Sequence, residues 1–102
     1  MNKWNIPVDI EKAVLLRDKK CVYCHVVFSN KTRKTTASWE HVVNDIKITS
    51  LKNIVRCCVV CNASKSAKTL GEWFKTNYCI NKKINENSVA EIIKNHILKY
   101  GI

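Results

Sequence analysis

The chain has 102 residues, with 18 Lys and Arg against 8 Asp and Glu and a net charge of +10. That length predicts one domain, with a core modest enough to need a staple. The positive field points to a polyanionic partner, and no stretch approaches the ~20 apolar residues of a membrane span.

Met1 to Asn5 has no apolar run behind its charge, which predicts no signal peptide. Ile6-Pro7-Val8-Asp9 reads as a helix start, with Asp9 and Glu11 suited to the positive end of the helix dipole. Ile10, Ala13, Val14 and Arg17 recur at helical spacing, so this helix should run to about Asp18.

Cys21-Val22-Tyr23-Cys24 is a Cys-x-x-Cys hook, and Val26-Val27-Phe28 leaving it reads as a short strand. Ser29 to Thr36 is polar and basic, an expected exposed loop. Thr36 to Val43 is the best strand candidate, Asn44 to Lys52 a second loop, and Ile54 to Cys57 a second strand. Cys58-Val59-Val60-Cys61 is a second hook, opening a helix of about ten residues.

Thr69-Leu70-Gly71-Glu72 and Ser88-Val89-Ala90-Glu91 both fit the capping box, in which hydroxyl and carboxylate satisfy each other's amides. The first should open a helix burying Leu70, Trp73 and Phe74 and ending near Tyr78. The second should carry Val89, Ile92, Ile93, His96, Ile97 and Tyr100 on one face and stop at Gly101.

Two thiolates separated by two residues reach one ion from a single tight turn. Cys21, Cys24, Cys58 and Cys61 therefore predict a closed tetrahedral zinc site that pins the ends of the intervening loop. The other two of the six cysteines, Cys57 and Cys79, are expected to be buried spectators. Metal-bound rather than oxidised thiols fit a reducing cytoplasm.

Arg17-Asp18 ahead of Cys-Val-Tyr-Cys, then Glu40-His41, Asn53 and Cys-x-x-Cys-Asn-x-x-Lys recur in that order in zinc-containing HNH endonucleases, and Ile6 to Cys79 resembles that family. The resemblance implies an α+β fold with a ββα-metal core, in which a hairpin and a helix cradle one catalytic ion. It implies His41 as the general base activating water against a DNA phosphodiester, and Glu40 and Asn62 as ligands of that ion. Asn53 matches the residue that braces the loop behind the base. Oxygen ligands suit a hard ion, Mg2+ or Mn2+.

This chain lacks the usual Pro after the base and the Gly-rich loop before the middle Asn, and it has Glu40 where many members have Asp or His. Neighbours on a regular strand point to opposite faces, so Glu40 and His41 can share a phosphate only at a strand end or distortion. Lys31, Arg33, Lys34, Lys65 and Lys68 are the expected contacts to double-stranded DNA. Cutting both strands is simplest with two sites, which makes a homodimer an expectation. The alternative is a zinc-stabilised nucleic-acid-binding module without catalysis.

Overall fold

A computed structural model of the chain describes residues 6–43, 45 and 50–102. The expectations for residues 1–5, and for most of the loop 44–52, lie outside these residues. The first helix, α1 (Val8–Arg17), follows Pro7, whose ring presets a helix-compatible φ of −54°. Two bonds of 2.8 Å from the Arg17 guanidinium, to the carbonyls of Leu51 and Ile54, pin its C-terminal end. Asp18 accepts from Arg17 Nε at 2.6 Å and from the Arg56 amide at 3.0 Å, which draws the chain out of the helix.

The first hook follows as a turn. Val26–Phe28 does not form the expected strand; only an isolated bridge joins Lys20 to Val27. Polar turns occupy 29–35, where the Thr35 hydroxyl meets Ser29 Oγ at 2.8 Å. Strands β1 (Ala37–His41) and β2 (Ile54–Cys58) then pair antiparallel, with Trp39 opposite Arg56, Glu40 opposite Val55 and His41 opposite Ile54.

Beyond His41 the chain leaves the ladder and turns onto Asn53. The Val42 amide bonds the Asn53 carbonyl at 2.8 Å, and the Val43 amide turns to Asn53 Oδ1 at 2.7 Å. β1 therefore ends earlier than the run of β-branched residues to Val43 suggests.

Both faces of this hairpin are covered, which explains why β2 is buried at alternate and adjacent positions alike. On one face, Val55 and Cys57 join the larger core with Tyr23, Leu70, Trp73 and Ile93. On the other, Ile54 and Trp39 pack against Ile6, Ile10 and Val14 of the α1 region. Tyr23 meets Trp73 edge-to-face, with ring centroids 4.8 Å apart.

α2 (Val59–Lys65) leaves β2 with no linker, and Cys58 caps it by accepting the Cys61 amide on its sulfur at 3.3 Å. It has seven residues rather than about ten, ending where Ser66 turns to φ 50°. The next helix divides. α3 (Leu70–Phe74) opens on the expected Thr69/Glu72 capping box, but the Thr76 hydroxyl caps a new helix, α4 (Asn77–Lys82), through the Cys79 amide. A hydroxyl that can bond its own backbone competes with continuing the helix.

The Ser88/Glu91 capping box does not form. Ser88 instead closes a turn with Asn85, accepting the Asn85 amide at 2.9 Å, and α5 (Glu91–Tyr100) starts from Ala90. The α5 face expected to be apolar packs Ile93, Ile92 and Ile97 against the larger core and stops at Gly101, φ 83°. The result is a small α+β fold with a two-stranded sheet and a four-cysteine cluster. Among the described residues no helix is long and apolar enough to cross a membrane.

Candidate functional site

Cys21 and Cys24 come from the turn after α1, Cys58 from the end of β2, and Cys61 from the first turn of α2. Their sulfurs all lie within 4.8 Å of one another. Tetrahedral zinc with Zn–S bonds of about 2.3 Å needs sulfurs about 3.8 Å apart. The Cys24 and Cys58 sulfurs are 3.8 Å apart. Each hook also turns a backbone amide onto its first sulfur, Cys24 N to Cys21 Sγ at 3.4 Å and Cys61 N to Cys58 Sγ at 3.3 Å.

A thiolate gains most from such donors, and the Tyr78 hydroxyl lies 3.1 Å from Cys61 Sγ as a further partner. Crowding splits the acidity of the thiols. Cys58 is lowered to about 7 and Cys24 is lowered well below the thiol range, each chiefly by hydrogen bonding with Cys21. Cys21 is raised, chiefly by its bond with Cys24, and Cys61 chiefly by its bond with Cys21. Four convergent sulfurs with no carboxylate or imidazole among them fit a structural metal such as zinc. Cys57 and Cys79 are buried outside the cluster, and burial raises both thiols.

Glu40 and His41 end β1, and their side chains leave opposite faces of the hairpin. Glu40 turns inward. Tyr23 donates its hydroxyl to Oε2, and the fully buried Lys65 ammonium stands 3.4 Å from Oε1. Burial raises the Glu40 carboxyl, against the opposing pull of Lys65 and Tyr23. Asn62 lies on the same side, donating its amide to Ser38 Oγ at 3.1 Å and to the Trp39 carbonyl at 3.3 Å. Those two bonds orient the amide and leave Oδ1 with no hydrogen bond among the described residues.

His41 is half-buried on the Trp39 face, and desolvation lowers its imidazole while Asp45 opposes that shift. Three buried side-chain polar atoms of the described residues lack a hydrogen-bond partner: Glu40 Oε1, His41 Nε2 and Arg56 Nε. Two of the three belong to these adjacent residues. Asn53 is fully buried, and its amide also donates to the Val43 carbonyl at 3.3 Å, so its side chain fixes the backbone at Val43, two residues after His41.

Lys31, Arg33 and Lys34 are exposed together on the 29–35 turns, and Lys68 is exposed beyond α2. Lys65 corrects the expectation made for it. Its ammonium is inaccessible and bonded to the Val42 carbonyl at 2.8 Å, so it cannot touch a phosphate on the surface. The reason is periodicity: three residues after Asn62, it shares the face of α2 that meets β1.

Tyr23 and Arg56 escaped the sequence reading. The Tyr23 position inside a hook is a signal, since the hook's turn aims an intervening side chain at the core. Arg56 lies between two rings, 5.3 Å from the Trp39 centroid and 5.5 Å from that of Phe28, a cation–π contact with no local motif. Comparison with protein-family models, curated proteins and solved structures found no match.

Proposed function

We propose that the chain is a metal-dependent endonuclease of HNH type with a ββα-metal core, acting in the cytoplasm on double-stranded DNA. The observation that carries this reading is the juxtaposition, at the end of β1, of the buried His41 Nε2, which has no hydrogen-bond partner, with the buried Glu40 carboxylate, whose Oε1 is met only by the Lys65 ammonium at 3.4 Å. Buried polar atoms are nearly always paired, so an orphan imidazole nitrogen beside a buried carboxylate at one strand end supports a role beyond stability.

Glu40 and Asn62, which face the same side of the hairpin, would hold a divalent ion, Mg2+ or Mn2+, through oxygen. When bound, such an ion supplies charge that stabilises the phosphate oxygens and the leaving group. The chain's own contribution is a base and its alignment. Desolvation keeps His41 neutral near pH 7, and Nε2, buried and without a hydrogen-bond partner, would take the proton of a water admitted to the site. Asn53 holds the backbone beyond it, and the exposed cations at 31, 33, 34 and 68 are suited to backbone phosphates. The four cysteines take structural zinc and fix α2 to the hairpin.

One observation favours the alternative of a binding module without catalysis: Lys65 and Tyr23 already compensate the Glu40 carboxylate. Incubating zinc-loaded protein with plasmid and Mg2+ or Mn2+, with a chelator control, separates the two. Ion-dependent cutting that His41→Ala loses supports the nuclease. Tight binding with intact plasmid under every ion supports the module and ends the nuclease reading.

A further inference from the structure

Lys65 is the most deeply buried cation of the described chain, with no exposed surface, and a lone ammonium in such a place is costly unless paired. Its partners are the carboxylate of Glu40, at 3.4 Å, and the carbonyl of Val42, at 2.8 Å. These two residues flank His41. Through the Glu40 side chain and the Val42 backbone, one buried ammonium therefore holds both neighbours of His41, whose own side chain leaves β1 by the face opposite Glu40.

From the opposite side, Tyr23 binds the remaining oxygen of Glu40. Tyr23 is itself fixed between two cysteines of the cluster and against Trp73. The carboxylate is thus held by one group from the first hook and another from the end of α2, the helix that the second hook opens.

We propose that Lys65 is a positioning residue of the hydrolytic site, tying the Glu40 carboxylate to the Val42 carbonyl across His41, with Tyr23 as the second jaw on Glu40. This rests on the nuclease reading above. Through these two side chains, the four-cysteine cluster sets the aim of a base that none of its ligands touches. A base must sit within hydrogen-bond reach of its water, and small misplacements are costly in rate. Losing an outer partner of this kind typically costs about 10–100-fold in activity.

The test uses the full zinc-loaded chain, plasmid DNA and saturating Mg2+ or Mn2+. Lys65→Met keeps the length of the side chain and removes its charge. Its kcat should fall about 10–100-fold, with KM for DNA and the salt dependence of binding unchanged. A parent-level kcat overturns the clamp. So does a raised KM with a shallower salt slope, which would make Lys65 a phosphate contact.

Tyr23→Phe, which deletes one oxygen, provides the second variant should Lys65→Met fail to hold zinc. It should lower kcat in the parent background and add nothing in a Glu40→Gln background, because it acts through that carboxylate. Equal losses in both backgrounds would make Tyr23 merely structural and overturn its part. The underlying reading fails separately: His41→Ala and Glu40→Gln would then cut at the parent rate, whatever Lys65 does.

Discussion

At residue scale the end of β1 concentrates the chemistry. His41 has an unpartnered Nε2, a depressed basicity and a backbone fixed by Asn53. A general base contributes about 10²–10⁴ in rate, or about 3–5 kcal/mol of barrier. His41→Ala should therefore lose that factor in plasmid cleavage while zinc content and DNA affinity stay near parent values. Cutting at the parent rate under saturating ion would remove His41 from the mechanism. Asn62→Ala should shift the ion requirement instead, because it deletes a candidate ligand and leaves the base. A titration with Mn2+ that gives the same half-maximal concentration for parent and variant would exclude Asn62 as a ligand.

A second histidine makes a prediction about stability. His96 is buried on the inner face of α5, with Nδ1 2.6 Å from the Lys52 carbonyl and its ring 4.7 Å from that of Tyr100. Burial lowers its basicity, with Lys65 adding to the shift and the Lys52 carbonyl opposing it. The unfolded chain then binds more protons than the native one between the lowered folded value and about 6.5. The His96 contribution to stability should rise with pH through that window and flatten above it, opposite in sign to that of the raised Glu40 carboxyl. His41 shifts in the same direction, so His96→Gln should reduce the slope without abolishing it. Urea melts at a series of pH values that give equal slopes for parent and variant would contradict this.

At the scale of elements the two hooks explain why short pieces of structure persist. α2 has seven residues and α3 five, lengths at which isolated helices are marginal. A structural zinc can contribute ~10 kcal/mol or more to folding, since a preformed site is absent from the unfolded chain. Cys58→Ser removes one ligand and the sulfur that caps α2, so it should give a largely unfolded chain. Circular dichroism showing parent helicity in a zinc-free Cys58→Ser protein would show that the metal is dispensable.

The same elements show what the sequence discloses. Cysteine spacing is a local, discrete signal, and the four sulfurs are found together. The Thr69/Glu72 box was legible because both halves lie within one turn. The Ser88 box used the same four-letter pattern, yet Asn85 competes for Ser88 from the preceding turn. The helix expected from Leu70 to Tyr78 divides because a hydroxyl at Thr76 can cap as readily as continue. Lys65 was misjudged because whether a cation is buried depends on a partner 25 positions away, Glu40, which no local pattern encodes. The place of Tyr23 inside a hook signals its burial, but its partner Glu40, 17 positions away, is no more encoded locally.

At the scale of the whole molecule, the net charge of +10 is unevenly useful. The apolar face of α5 packs on the chain's own core, and the homodimer is inferred from the need to cut two strands. Sedimentation with and without DNA tests it, and a monomer in both states would end it. The charge itself makes a sharper prediction. Each phosphate neutralised on duplex DNA contributes about −0.9 to the slope of log K against log salt. Lys31, Arg33 and Lys34 project from one set of exposed turns, and Lys68 stands exposed beyond α2. Replacing the first three with Gln should flatten the slope by about 2.7 and weaken every duplex alike, because phosphate contacts carry no sequence information. Lys65 provides the internal control. It adds to the formal charge as they do, but its ammonium is sealed behind β1 and already bonded to Val42. Lys65→Met should leave the slope where it was. If the triple replacement leaves the slope unchanged while Lys65→Met alters it, the DNA does not lie across the 29–35 turns and the interface must be sought on another face.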